Sequence, residues 1–328
     1  MSRIWDAIVV GAGPAGASCA VWLKQLGFDP LLLESASEPG GLLRSNSYLD
    51  VWTVTSPDQT GQDMARQLAR QVEISGVQLR CNARVIRVEH DGTCFTVSYQ
   101  LDAVREPGQS DRGQTCLIER AANLVVASGV RARAPHDMRS VACFDQHVDS
   151  QGDPCAEVLI GPGEHIMNHD FEGLSVAILG GGDNAFENYL FVKSRGASSV
   201  RIYARTVRAQ HQFVRQVPGD DVCLGAVTFD PRQRSVNGQT YDRVLVFYGW
   251  QANVEFLDDI SIKRDVRGFL EVDPLTAQTS VAGLYAIGEV TQRMHPCVPT
   301  AMADGVVAAK AIERRLADRE RLCESGLD

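Results

Sequence analysis

An α/β fold built from two Rossmann-like nucleotide-binding units is what this 328-residue sequence predicts, on three observations. The segment DAIVVGAGPAGASCAVWLKQLG, residues 6–27, runs from an unbroken apolar strand through a glycine turn into a helix that a glycine closes. The segment SVAILGGGDNAFENYLFVKSRG, residues 175–196, repeats that order. The distance from first to closing glycine is the same in both, 27 − 11 = 16 and 196 − 180 = 16. An unbroken apolar strand is what a parallel sheet covered on both faces requires, and the glycine turn is what lets backbone approach a phosphate.

The elements follow in order. Residues 1–34 read as strand, turn, helix and a second strand ending on Glu34. A helix is expected at about 57–75, with Ser56 as cap and Pro57 in its first turn. Three strand-like runs follow at 77–90, 93–101 and 114–121, the last two separated by the turn-forming REPGQSDRG. The strand NLVVASG, 123–129, closes this unit, and the Pro-, Gly- and His-rich stretch 130–170 suits an interdomain segment. The second unit spans about 171–254 and ends on the strand DRVLVFYGW. Beyond it, GLYAIGEV reads as a strand entering a turn, TAMADGVVAAKAIERRLA as a long helix, and LCESGLD as a frayed end.

Composition narrows the function. A hydrophobic content of 44% and a charged content of 22% are those of an ordinary globular chain with room for two cores. The net charge of −9 argues against nucleic acid as a partner. No apolar run reaches the roughly 18–20 residues of a membrane span, and the chain enters its first strand with no room for a signal peptide. A cytoplasmic protein is expected, with attachment to a membrane surface as the alternative. The nine cysteines form no CxxC and no Cys/His cluster of zinc-like spacing, so no metal is expected.

In the first turn Gly11 allows the bend, Gly13 lets backbone meet a pyrophosphate and Gly16 lets helix pack on strand. Glu34 lies 34 − 11 = 23 residues on, where an acid accepts hydrogen bonds from a ribose 2′-hydroxyl. The second turn has Gly180, Gly182 and Ala185, followed by Asp183-Asn184 chemistry at its helix start. At the matching offset, 180 + 23 = 203, it carries Tyr203, and Arg205 and Arg208 follow as candidate phosphate ligands or solvated surface arginines.

Together GAGPAG, Glu34, EPGG at 38–41, AIGEV at 286–290 and TAMADG at 300–305 resemble the FAD-containing pyridine-nucleotide–disulfide oxidoreductases, most of all the low-molecular-weight thioredoxin reductase group with its ferredoxin–NADP reductase branch. The resemblance covers nearly the whole chain. It implies a thioredoxin reductase-like fold in which an FAD domain, 1–135 plus 255–328, receives a second dinucleotide domain, 136–254, as an insertion. It also implies a homodimer. Carried onto this sequence, it assigns Gly11, Gly13, Ala15 and Gly16 to the FAD pyrophosphate and Glu34 to the adenosine ribose. Gly41 and Leu42 fall along the phosphate–ribitol chain, Val85 near the adenine, Gly129 beside the cofactor, and Gly288 and Glu289 in place of the family's Gly-Asp pair. Cys297, Val298 and Thr300 fall beside the isoalloxazine, His295 is a candidate proton relay, Trp52 a candidate stacking residue, and Trp250, with Tyr248, a candidate for facing a second ring.

Two departures stand against the matches. The stretch GEHIMNHDFEGLSVAILGGG holds no cysteine where a thioredoxin reductase carries CxxC, and Tyr203-Ala204-Arg205-Thr206 keeps one residue of the family's basic HRR-type cluster. The pattern is similar to the diflavin-linked disulfide oxidoreductases of cyanobacteria, in which a second FAD takes the NADPH place. The expected function is therefore an FAD-dependent dithiol/disulfide oxidoreductase with a second FAD at the Gly180 turn, acting on a thiol or disulfide substrate and an external electron acceptor. The alternatives are a ferredoxin–NADP reductase-like enzyme using NADPH there and a flavin-binding protein without turnover. Cys19, Cys81, Cys94, Cys116 and Cys223 read as core and Cys323 as a passive tail thiol. Two of Cys297, Cys143 and Cys155 are the candidates for a redox-active pair, against a space-filling role for each.

Overall fold

A computed structural model describes residues 3–101, 115–135, 157–292 and 295–325. The chain opens with β1 (Ile4–Trp5), β2 (Ala7–Val10), α1 (Pro14–Gln25), β3 (Pro30–Leu33), α2 (Gly61–Ile74) and β4 (Gln78–Arg80). It continues through β5 (Ala83–His90), β6 (Phe95–Leu101), β7 (Thr115–Ala121), β8 (Leu124–Val126) and β9 (Val130–Ala132). Then come β10 (Val158–Ile160), α3 (Glu164–Met167), β11 (Ser175–Leu179), α4 (Asp183–Ser194), β12 (Ser199–Ala204), α5 (His211–Val214) and β13 (Val222–Leu224). The remaining elements are β14 (Phe229–Asp230), β15 (Ser235–Val236), β16 (Gln239–Thr240), β17 (Arg243–Val246), β18 (Trp250–Ala252), β19 (Leu284–Ala286) and α6 (Val298–Ser325). Two compact units result, one from Met1–Val130 with Ala252–Asp328 and one from Arg131–Gln251.

In the first unit a five-stranded parallel sheet has the order β19-β8-β2-β3-β4. Every residue of β2, β3 and β8 is buried, and α1 and α6 cover the face that carries Ala7, Val9, Leu32 and Val125 through Ala17, Ala20, Leu23, Ala308, Ala309 and Ile312. Those two helices approach closely at Gly305, where a Cβ would stand 2.5 Å from the Ala15 carbonyl oxygen. A second sheet, β1-β7-β6-β5, pairs antiparallel except for the parallel β1–β7 contact. Arg80 at the end of β4 reaches Glu119 of β7 at 2.7 Å and hydrogen-bonds Tyr99 of β6, while Trp5 Nε1 donates to Glu119 at 2.9 Å. This network ties the second sheet to the strand end beside Glu34.

The second unit carries a five-stranded parallel sheet, β10-β17-β11-β12-β13. Its α4 face buries Val176, Ile178, Ile202 and Leu245 against Ala185, Phe186 and Tyr189. Its other face buries Ala177, Leu179, Tyr203, Val244 and Val246 together with Val236 and Tyr241 from the small β14-β15-β16 meander and the turn after it.

Four expectations are corrected. The helix expected to open at Ser56 opens at Gly61, because Thr60 and Asp63 form a reciprocal capping box and Thr55 and Asp58 hold positive φ, which no helix continues through. The run 77–90 is two strands in two sheets, divided at Asn82 with φ +53°. The stretch expected to fray stays helical to Ser325. Cys116 is exposed, not core, because it shares with Ile118 the outward face of β7. Cys19 and Cys94 are buried, Cys81 and Cys223 half-buried. Burial pushes the Cys19 thiol up to about 12, which keeps it protonated and inert.

Candidate functional site: two glycine turns

The first turn is a backbone cradle in which side chains have no room. Gly11 holds φ +99°, and a Cβ there would stand 2.4 Å from the Ala127 carbonyl oxygen. At Gly16 a Cβ would meet the Gly11 carbonyl oxygen at 1.9 Å. Helix α1 starts at Pro14 with no side-chain cap, so its first-turn amides are left for a ligand. Gly41, φ +56°, faces Gly13 closely enough that a Cβ would lie 3.1 Å from the Gly13 Cα and fill the space over the turn. From the other side Gly288, φ +71°, leaves its Cβ position 2.9 Å from the Ala15 methyl.

Glu34, only 6% exposed, stands one residue beyond β3. Its carboxylate accepts the Ala12 amide at 2.7 Å and the Ala36 amide at 2.8 Å, and the Ala12 carbonyl accepts the Gly40 amide at 2.9 Å. Turn, strand end and EPGG loop are thus one hydrogen-bonded unit. These features fit an FAD pyrophosphate and ribose, with the helix dipole favouring the phosphates.

Gly288, Glu289, Cys297, Thr300, Ala301 and Asp304 line one small cavity. Asp304, which the sequence reading missed, is 3% exposed and accepts the Gly288 amide at 3.1 Å. Burial raises the Glu289 carboxyl above its ordinary range. Cys297 is exposed at the head of α6, its sulfur 3.4 Å from Thr300 Oγ1, and that hydroxyl has the Cys297 carbonyl at 3.0 Å and the His295 carbonyl at 3.2 Å as alternative acceptors. Val298 packs instead on Leu43, Met64 and Ala65. Leu42 is exposed and Trp52 is 62% exposed, its amide held by Asp50 while its ring stands out from the surface. Val85 is half-buried in β5 at the point where pairing with β6 shifts. Gly129, φ +67°, follows β8 with open space where a Cβ would be. Cys143 and Cys155 lie outside the described residues.

The second turn has the same frame. Gly180 holds φ +148°, its Cβ position 2.5 Å from the Phe247 carbonyl oxygen, and helix α4 likewise has no side-chain cap. A Cβ on Gly182 would meet nothing within 4 Å. The sheet register, however, reassigns the residue opposite the turn. Val10 pairs with Leu33 and the Gly11 amide donates to Leu33 at 2.7 Å, so Glu34 comes next. Leu179 pairs with Tyr203 and the Gly180 amide donates to Tyr203 at 3.0 Å, so the equivalent of Glu34 is Ala204. Tyr203 is turned into the core, its hydroxyl 2.6 Å from that of Tyr241. Counting from the glycines misses this because the second copy has one more residue between closing glycine and strand end, 204 − 196 = 8 against 34 − 27 = 7.

Beyond Ala204 come Arg205, Thr206 and Arg208, all exposed. The Arg205 charge reaches Tyr248, opposing the upward push of burial on that phenol. Gly182, Asp183, Asn184, Arg208, Phe247 and Trp250 line a cavity of about 250 Å³. The Gly181 carbonyl accepts the Arg208 amide at 2.6 Å and the Ala209 amide at 3.0 Å, and the Asp183 carboxylate accepts the Gln210 amide at 2.7 Å and its side-chain amide at 3.0 Å. Gln210 did not stand out in the sequence, since nothing local marks a contact made across 27 residues. No helix among the described residues is long and apolar enough to cross a membrane.

Comparison with known families matches the pyridine nucleotide-disulphide oxidoreductase model over residues 5–217 and 207–305. The chain is 28% identical to a ferredoxin–NADP reductase of Limosilactobacillus fermentum, across 88% of this chain and 86% of that protein. It is 24% identical to a thioredoxin reductase of Streptomyces coelicolor, across 97% and 95%. Among solved structures, Lactococcus lactis thioredoxin reductase in its FR conformation superposes with a TM-score of 0.72 at 20% identity, over 96% of this chain and 99% of that one.

Proposed function

This chain belongs to the pyridine nucleotide-disulphide oxidoreductase family, whose members use FAD, and we propose that it is an NADPH-linked flavin oxidoreductase that delivers electrons to an external acceptor. FAD would be held at the first turn by the α1 amides, Glu34, Gly41 and Gly288, and would supply two-electron redox chemistry there. The observation that carries the NADPH reading is Ala204 opposite the Gly180 turn, with exposed Arg205 and Thr206 directly after it.

The reasoning is electrostatic. An FAD or NADH ribose asks for the acceptor that Glu34 offers at the first turn, and Ala204 offers none. A carboxylate there would repel a 2′-phosphate by about 1–4 kcal/mol at a separation of ~4 Å, depending on solvent screening. Its absence removes that repulsion, and Arg205 with the Thr206 hydroxyl offers a fork and a donor to the phosphate. A relative named as a ferredoxin–NADP reductase supports the same nucleotide. The fully described stretch 163–182 contains no cysteine, so a CxxC in front of the second turn plays no part.

A second reading, a dithiol/disulfide oxidoreductase with a second FAD at the Gly180 turn, is favoured by exposed Cys297 in the Gly288–Glu289 cavity and by Trp250 on the wall of the second cavity. Its redox pair would be two of Cys297, Cys143 and Cys155. Two measurements separate the readings: FAD released per denatured chain, and anaerobic titration of the purified protein with NADPH and with a dithiol. One FAD per chain bleached by NADPH is the expected result. Two FAD per chain, bleached by dithiol and not by NADPH, would overturn it in favour of the second reading. Flavin reduced by neither would mark a flavin-binding protein without turnover.

A further inference from the structure

The two turns solve the same mechanical problem with carboxylates in different places. At each turn the segment after the second strand must be tied back to the glycine loop, or the groups it presents to the nucleotide are not fixed. At the first turn Glu34 does this from the strand end, gripping Ala12 and Ala36, and it thereby occupies the ribose position. At the second turn the strand end is Ala204, which can grip nothing. The tie comes from Asp183, the first residue of α4, whose carboxylate takes both amide groups of Gln210. Pro14, the matching first residue of α1, has no such group.

The tie draws the loop inward. The Gly40 amide reaches the Ala12 carbonyl six residues after Glu34, 40 − 34 = 6, whereas the Arg208 amide reaches the Gly181 carbonyl four after Ala204, 208 − 204 = 4. The shorter path lays the Thr206 carbonyl so close that a Cβ on Gly181 would stand 2.0 Å from its oxygen, which explains a glycine where the first turn has Ala12. Arg205, Thr206 and Arg208 are all carried on the segment so fixed.

We propose that Asp183 and Gln210 are positioning residues for the 2′-phosphate of the nucleotide: they take over the tying role of Glu34 from a place where their charge does not face the ribose, and they hold Arg205 and Thr206 in register with it. The inference rests on the NADPH reading of the Gly180 turn. It assigns Asp183 no contact with the nucleotide.

The test uses the FAD-loaded chain with Asp183→Ala, Asp183→Asn and Gln210→Ala. Calorimetry with adenosine 2′,5′-bisphosphate and with AMP reads the phosphate separately from the adenosine, and hydrogen exchange reads the amides of 206–210. In Asp183→Ala the bisphosphate should bind about tenfold more weakly, the loss expected for a charge-assisted pair of hydrogen bonds, and in Gln210→Ala, which keeps the backbone amide on Asp183, about threefold. AMP should change little, the 206–210 amides should exchange faster, and KM for NADPH should rise more than kcat falls. Asp183→Asn, whose side-chain carbonyl still accepts the Gln210 amide, should recover part of the loss. Equal losses for bisphosphate and AMP, or none in either variant, would overturn the positioning role while leaving the NADPH reading intact. Failure of the unsubstituted chain to bind the bisphosphate would overturn both. Gln210→Ala keeps the test open should Asp183→Ala fail to retain its flavin spectrum.

Discussion

The two glycine turns share a backbone and differ in charge. Each first glycine is pinned under a carbonyl from the end of a neighbouring strand, Ala127 for Gly11 and Phe247 for Gly180, and each donates its amide to the last residue before the ribose position. What stands at that position is a buried carboxylate in one copy and a methyl group in the other. The cradle for a pyrophosphate is therefore a property of main-chain geometry, conserved between two sequences that share few side chains. On the NADPH reading proposed above, the choice of nucleotide belongs to one residue just past the strand and to the loop that follows it. The copies differ in tightness as well, because the second accommodates Ala185 fully buried where the first allows only Gly16.

The largest effect should come from testing that tightness. Gly16→Ala puts a methyl 1.9 Å from the Gly11 carbonyl oxygen, so α1 must move off the turn. A loss of roughly 3 kcal/mol or more in stability is expected, with no FAD retained through gel filtration. The reverse change, Ala185→Gly in the second turn, should cost only about 1 kcal/mol, the helix-propensity difference. Similar melting temperatures for the two variants would break the claim that the turns differ in room.

Exchange of the ribose residue should come next. Ala204→Glu copies the first turn's acid into the second. Its charge should lower kcat/KM for NADPH by about 5- to 900-fold, from ~1–4 kcal/mol of repulsion, while NADH loses little or gains. A constant NADPH/NADH ratio would show that the loop, and not this position, selects the nucleotide. The converse, Glu34→Gln, leaves one of two amides facing a donor and should cost ~1–3 kcal/mol, seen as weaker FAD retention on dilution with second-site affinity unchanged.

Most of this frame was readable in the sequence because the chemistry is local. A glycine pinned by positive φ, an apolar strand buried on both faces and a helix opened by proline each depend on residues within a few positions. The site's selectivity was not local. Whether Tyr203 or Ala204 stands opposite the position of Glu34 depends on one extra residue in the turn after α4, which only strand pairing exposes. The Asp183–Gln210 tie, the Asp304 bond to Gly288 and the α1–α6 contact at Gly305 join residues distant in sequence, with no spacing rule to find them. The start of α2 was misread for the opposite reason: two plausible local signals competed, and the capping box of Thr60 and Asp63 outranked Ser56-Pro57.

The smallest expected effect concerns the second acid of the first site. Glu289 sits where burial raises its carboxyl above the ordinary glutamate range. Between that range and its raised value the folded chain binds a proton that the unfolded chain has released. Stability from this group is then fully present at pH below the ordinary glutamate range and is lost as pH rises through the folded-state value. Glu289→Gln removes the titration and keeps the shape. The variant should melt with the unsubstituted chain at the acid end and above it at neutral pH, the gap opening only across that window. Equal melting temperatures for Glu289→Gln and the unsubstituted chain at neutral pH would show that burial costs this carboxylate nothing and would remove the contrast with the outward charge of the second turn.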